Sequence, residues 1–132
     1  MVLDLFAGSG SLGIEAISRG AGHVTFVEKS LECIKVIEQN VRTIGVQELA
    51  TIIKSDAVTY VKNCMTSFNL IFMDPPYHKD LASKLAPHVY NLLTTGGILV
   101  AEHSVREEIP MSAWKTKRYG DTVVSYFMRS EQ

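Results

Sequence analysis

The sequence predicts an α/β fold: a doubly wound, mostly parallel, seven-stranded sheet that ends in an antiparallel C-terminal hairpin. Two observations predict it. Five short apolar runs alternate with segments whose apolar residues recur every three or four positions. That alternation gives a parallel sheet covered by helices on both faces. After the fifth run, two β-prone segments flank Gly120-Asp121, a hairpin signal that requires at least one antiparallel strand at the sheet edge.

The elements follow in order. Residues 2–6 read as a buried strand, and residues 11–19 as a short helix with Leu12, Ile14, Ala16 and Ile17 at helical spacing. Gly20 and Gly22 end that helix. Residues 23–28 form a second strand. Ser30 is a good N-cap for a helix reaching about residue 44, with Leu31, Ile34, Ile37, Val41 and Ile44 as one apolar stripe. Gly45 stops it. Residues 50–54 are a third strand, and Asp56 can cap the helix that carries Ala57, Val58, Val61, Cys64 and Met65. Residues 68–73 are apolar enough for a central strand. Residues 81–93 are helical in pattern, but Pro87 should kink or divide them. Gly96-Gly97 leads into a fifth strand at 98–102. Residues 114–119 and 122–128 form the hairpin.

A chain of 132 residues suits one compact domain, here taken as residues 1–132. The formal charge of −1 selects no partner, because a basic patch can sit on a neutral domain. No apolar run has the length of a membrane span and no signal peptide is visible, so a cytoplasmic protein is expected. Cys33 and Cys64 fall in helical patterns among apolar neighbours and read as reduced core residues. They lack the spacing of a metal pair.

Four features fall just past successive strand ends, where open α/β sheets bind ligands. The first is Gly8-Ser9-Gly10-Ser11-Leu12-Gly13, which satisfies the dinucleotide pattern G-x-G-x-x-G. The pattern alone is weak, since any strand–loop–helix that brings backbone close to a ligand needs glycine. Asp4 precedes it in the strand. A carboxylate there repels a pyrophosphate and suits an amino-bearing or cationic ligand. The second is Glu28, a carboxylate able to accept from both hydroxyls of a ribose; the alternative is an acid at a helix start. The third is Asp56, an acceptor for an adenine amino group, a simple N-cap, or both. The fourth is Asp74-Pro75-Pro76-Tyr77. Two prolines fix φ, remove two backbone donors and extend the residues before them. Asp74 and the Pro75 carbonyl can hold the two hydrogens of an exocyclic amino group, and Tyr77 offers a ring on which a base can stack.

These motifs carry a resemblance. "DLFAGSG", "VEKS", "SDA" and "DPPY", in this order, are similar to those of the Rossmann-like class I S-adenosylmethionine-dependent methyltransferases that act on amino nitrogens. "LDLFAGSGSLGIEAISRGA", "FMDPPY", "GGILVAEHS" and "KRYGDTVVSYF" resemble the RsmD family, which methylates N2 of a guanine in bacterial 16S ribosomal RNA. The resemblance covers nearly the whole chain. It implies that Asp4, Ala7, Gly8 and Gly10 contact the methionine end of S-adenosylmethionine, that Glu28, with Lys29 beside it, serves the ribose, and that Asp56 and Ala57 hold the adenine. Asp74, Pro75, Pro76 and Tyr77 would form the catalytic loop. Gly13 then completes the dinucleotide pattern by coincidence, through helix packing. The family normally carries an N-terminal segment of some tens of residues, and this sequence begins directly on the first strand.

The implied partner is 16S ribosomal RNA or a small-subunit particle, with a monomer and neither metal nor membrane expected. His78 and Lys79 follow the loop and could touch phosphate, or simply start a helix. Lys115, Lys117 and Arg118 read as an ordinary edge-strand charge pattern. His23, His88 and His103 show no metal or triad spacing. Other amino-methyltransferases, acting on adenine N6, cytosine N4 or protein glutamine, would use the same loop chemistry. An NAD-dependent oxidoreductase leaves Asp4 and the proline loop unexplained. A non-catalytic cofactor-binding module leaves the intact proline loop unexplained.

Overall fold

The computed structural model describes residues 1–76 and 80–130. The chain divides into two compact units, Met1–Asn63 and Cys64–Gln132.

The first unit contains β1 (Val2–Leu5), α1 (Ser11–Ser18), β2 (Val24–Glu28), α2 (Leu31–Thr43), β3 (Ala50–Lys54) and α3 (Ala57–Asn63). Its strands lie in the order β3-β2-β1 and are parallel, with Val24 opposite both Val2 and Ala50. All four residues of β1 and the first four of β2 are buried, as expected for strands covered on both faces. Val24 and Phe26 point to the face on which α1 lies: a Cβ added to Gly13 would stand 2.3 Å from the Phe26 ring and 2.9 Å from Val24. Gly13 is therefore a packing glycine, and the missing side chain is what lets α1 approach β2.

The Ser30 hydroxyl accepts from the Cys33 amide at 3.3 Å and caps α2. That helix buries Ile34, Ile37 and Val41. The expected stripe is too wide, because Leu31, the first residue of the helix, and Ile44, just past its last, are exposed, at 53% and 50%. A short 3-10 turn, Gln47–Leu49, precedes β3 and has no signal in the apolar periodicity.

The second unit contains β4 (Phe68–Met73), α4 (Leu81–Tyr90), β5 (Leu93–Ser104), β6 (Lys115–Tyr119) and β7 (Thr122–Met128). Its strands run β4-β5-β7-β6. β5 is parallel to β4, and β7 is antiparallel to both β5 and β6. The hairpin turns at Gly120, whose φ of 62° is the left-handed conformation that such turns need. With three strands in the first unit, the described residues form seven.

The second unit departs from the expected elements at β5 and α4. β5 spans Leu93–Ser104 rather than 98–102, and the register slips between Phe68–Leu93 and Leu70–Ile98. Gly96 and Gly97 are thus an irregularity inside the strand, not its lead-in. Gly96 has φ 82°, and a Cβ on Gly97 would meet the Thr94 carbonyl oxygen at 2.9 Å. The other correction is α4, which continues through Pro87 and ends at Tyr90. Ala82, Leu85, Ala86 and Val89 are buried along it, and that apolar face outweighs the one hydrogen bond that proline forgoes. Cys64 lies just past α3. Cys33 and Cys64 are both half-buried and outside any disulfide, rather than core residues. Among the described residues, no helix is long and apolar enough to cross a membrane.

The Gly13 contact gives a direct prediction. Gly13→Ala should cost roughly 1–3 kcal/mol, the usual penalty of overpacking, because the Phe26 ring it strikes is fully buried. Urea unfolding would measure this, and adding Phe26→Leu to the alanine variant should recover part of the loss.

Candidate active site

In the first unit the glycine loop is shaped by two carboxylates. The chain leaves β1 with positive φ at Phe6 (64°), Gly8 (59°) and Gly10 (81°). Phe6 is a bulky residue in a conformation that is sparsely populated and held only by its surroundings. The Ala7 amide donates to the Val27 carbonyl at 3.0 Å, and the Gly10 amide to the Ala7 carbonyl at 2.8 Å. Gly10 stands at the N-cap of α1 and has no side chain to cap it. Asp4 takes that role from β1: its Oδ2 accepts from the Gly13 amide at 3.0 Å, and the residue is only 2% exposed. A carboxylate at a helix N-terminus also faces the positive end of the helix dipole.

Glu28, at the end of β2, holds the other side. Its Oε1 accepts from the Gly8 amide at 2.9 Å and its Oε2 from the Ser30 amide at 2.8 Å. Each carboxylate oxygen has a further lone pair, so Glu28 can grip the loop and still accept from a ligand. A Cβ on Gly8 would meet nothing within 4 Å, so open space lies beside this glycine. Gly10, in contrast, is packed, with Ile37 at 3.0 Å from the equivalent point. Ala7 is half-buried and Lys29 is exposed.

Asp56 caps α3. Its Oδ1 accepts from the amides of Val58 and Thr59 at 2.9 and 3.2 Å, and its Oδ2 from the Thr59 hydroxyl at 2.6 Å. The Thr59 hydroxyl, helped by those amides and by the Lys29 charge, holds the Asp56 carboxyl below the usual carboxylate range. Ala57, the first residue of that helix, is buried.

The second unit carries the proline loop. β4 and β5 run in register from Leu70–Ile98 to Met73–Ala101, which sets Asp74 beside Glu102. The two side chains share a hydrogen bond. Asp74 is exposed as a residue, but its carboxyl is withdrawn from water at the strand end. Desolvation and then the Glu102 charge push its pKa up to about 6. Pro75 is buried and Pro76 exposed, and neither has an N–H. Tyr77, His78 and Lys79 lie outside the described residues.

Glu102 is the residue that sequence reasoning missed. Its signal was available, because it closes the run read from sequence as the fifth strand, residues 98–102, just as Glu28 ends the second, although β5 itself continues to Ser104. The next residue, His103, faces the opposite side. It is buried, and its Nε2 lies 2.8 Å from the Ser125 hydroxyl. That pair floors an open cleft of about 520 Å³ rimmed by Arg106 and Arg118, away from Glu102. Among the described residues, no group of three or more His, Cys, Asp or Glu is placed to hold a metal ion.

Comparisons with known proteins follow the same lines. The family model described as conserved hypothetical protein 95 matches residues 1–128. The Bacillus subtilis protein YlbH is 34% identical over 96% of this chain and 74% of its own length. Ribosomal RNA small subunit methyltransferase D of Escherichia coli K12 is 34% identical over 76% of this chain, and its Haemophilus influenzae counterpart 39% over 62%. Those matches span 48% and 44% of the two relatives, just under half of each. A Streptococcus pyogenes structure, 32% identical, matches 98% of this chain and 85% of its own with a TM-score of 0.89. An RNA methyltransferase from Salinibacter ruber, solved with S-adenosyl-L-homocysteine, is 18% identical with a TM-score of 0.78 and bears on the fold alone. With the strand orders above, these likenesses make the fold that of the Rossmann-like class I methyltransferases.

The Asp74–Glu102 pair predicts a pH signature. A raised carboxyl pKa means that the folded state holds a proton more tightly than the unfolded chain, whose value is 3.8. The pair's contribution to stability is then complete below 3.8 and lost as pH rises through about 6. Asp74→Asn removes the titration. Its stability relative to the parent should increase between those values and level off above them, as read by urea unfolding at a series of pH values.

Proposed function

Because the chain belongs to the conserved hypothetical protein 95 family, that of the RsmD methyltransferases, we propose that it is an S-adenosylmethionine-dependent methyltransferase of ribosomal RNA. Its target is the exocyclic N2 amino group of a guanine in 16S ribosomal RNA. The observation that carries this reading is the end of β4, where an acceptor carboxylate, Asp74, is followed by a proline whose carbonyl has no competing N–H beside it.

The first unit fits the cofactor. Gly8 faces open space, and Glu28 retains acceptor capacity for the ribose hydroxyls. Asp56 and Ala57 stand at the start of α3, where Asp56 can accept from the adenine amino group while capping the helix. Asp4 acts through the loop it holds, keeping Ala7, Gly8 and Gly10 in place for the methionine end. Two carboxylates beside the glycine loop suit an amino group and a sulfonium. They do not suit a pyrophosphate.

When bound, S-adenosylmethionine supplies an electrophilic methyl group on a sulfonium. Asp74 and the Pro75 carbonyl accept the two N–H groups of the guanine amino nitrogen. They orient its lone pair, which is otherwise delocalised into the ring. They also stabilise the positive charge that develops on nitrogen. Asp74 serves this role ionised, above about pH 6, and the proton lost from nitrogen can pass to water. Tyr77 stacks on the base, which must leave its RNA structure to be reached. The partner is 16S ribosomal RNA or a small-subunit particle, met in the cytoplasm by a monomer.

Calorimetric titration with S-adenosylhomocysteine, with NADH as control, tests the class. Binding of the first alone is expected, and binding of NADH alone would make the dinucleotide pattern genuine. Asp74→Ala should abolish methyl transfer to ribosomal RNA while the same titration stays nearly unchanged; undiminished turnover would sink the mechanism. Tyr77→Ala should weaken base capture by roughly 1–3 kcal/mol, seen as a raised KM for RNA with cofactor affinity preserved.

A further inference from the structure

β6 is the edge strand of the second unit, and all five of its residues, Lys115 to Tyr119, are exposed. The ladder places it in line with the proline loop. Lys117 pairs with Val124, and Val124 with Glu102, the neighbour of Asp74. Residues paired across a ladder share a face of the sheet, and so do every second residue along a strand. Asp74, Glu102, Val124 and Lys117 therefore form one row. Lys115 and Tyr119 stand on the same face, one pleat to either side of Lys117. At about 4.8 Å per strand, the row from Asp74 to Lys117 is roughly 14 Å long.

Charge marks this edge. Residues 114–129 contain four cations, Lys115, Lys117, Arg118 and Arg129, against the single anion Asp121. That is a net +3 within a chain of net −1, so the remainder carries −4. Arg118 and Arg129 hold backbone carbonyls, of Gly120 at 2.8 Å and of Leu93 at 2.6 Å. Among the described residues, neither lysine side chain holds a backbone carbonyl in this way. Edge lysines alone could be explained as protection against strand pairing between molecules. The aromatic residues beside them oppose that purpose. Trp114 is 61% exposed and Tyr119 62%, and exposed rings on an edge favour association. Trp114 is also held in place, its amide donating to the Tyr126 carbonyl at 2.7 Å.

We propose that this edge, with Lys115 and Lys117 between Trp114 and Tyr119, is a docking surface for single-stranded RNA, seating nucleotides a short distance along the strand from the target base. Lysines spaced along a strand track phosphates, and rings at both ends stack on bases without regard to sequence. A base that must be splayed out benefits from neighbours held by Lys115, Lys117 and Tyr119 on its own face of the sheet, while Trp114, one residue before β6, stands at the end of the edge strand. This inference rests on the RNA-methyltransferase reading above, and it revises the expectation of an ordinary edge-strand charge pattern.

The chain has one tryptophan, so its fluorescence reports on this surface. An unstructured RNA oligonucleotide, added to the full chain, should quench Trp114 as it binds. Lys115→Ala with Lys117→Ala should weaken binding about 10-fold and lower the slope of log affinity against log salt by about 1.4. Lys35→Ala with Lys62→Ala, an equal charge loss on α2 and α3, should change neither appreciably. RNA binding without quenching, or equal losses in the two double variants, would overturn the proposal. So would a parent chain that binds S-adenosylhomocysteine but no RNA. A chain that binds RNA with quenching but no S-adenosylhomocysteine would keep the surface and refute the proposed function.

Discussion

The hydrogen bond from the Gly13 amide to the Asp4 carboxylate is the constraint on which the first unit depends. The first turn of a helix has amides without partners, and an N-cap side chain usually satisfies one of them. α1 begins at a glycine because the loop needs left-handed backbone there, so no local side chain is present. Asp4 supplies the acceptor from within β1, and it can do so only because Gly13 lets α1 lie directly on β2. Strand, loop and helix are joined by one buried bond of 3.0 Å. Glu28 does the equivalent for the outer part of the loop. Loop conformation is thus set by acids on two strands and not by the glycines alone.

The second unit applies similar chemistry to another end. Asp74 and Glu102 are not placed on helix amides; they face each other. Asp74 and Glu102 arrive side by side because β4 and β5 are parallel and in register at their carboxyl ends. The proline that follows Asp74 denies it a local amide partner. The result is a carboxyl with acceptor capacity left for an N–H offered from outside, and desolvation together with the Glu102 charge raises its pKa.

Much of this was legible in the sequence. Alternating apolar runs gave β1 to β5 and the four α-helices, the Gly120-Asp121 signal gave the hairpin, and Glu28, Asp56 and Asp74 stand near the strand ends where the sequence put them. What stayed hidden depended on three-dimensional register. The 94–97 stretch reads as a break because its glycines look like a turn, yet they lie within a continuous β5. Pro87 reads as a helix breaker, yet α4 passes through it on the strength of its buried face. Asp4 reads as a ligand residue, and its grip on Gly13 becomes visible only when α1 is seated on β2. Glu102 went unnoticed because an acid closing an apolar run gives no sign of which residue will stand beside it. Its meaning comes from the neighbour it acquires across the ladder.

The two anchors of the glycine loop also bear on how such loops can be moved between proteins. Residues 7–13 look like a portable cassette, a short string that could be grafted after any strand to create a nucleotide site. Their shape is stored elsewhere, in an aspartate before the string and a glutamate fifteen residues beyond it. A transplant of the string alone would carry the letters and leave the conformation behind. The smallest heritable module here is the whole β1-α1-β2 unit, and a search that matches only the glycines samples backbone packing rather than ligand identity.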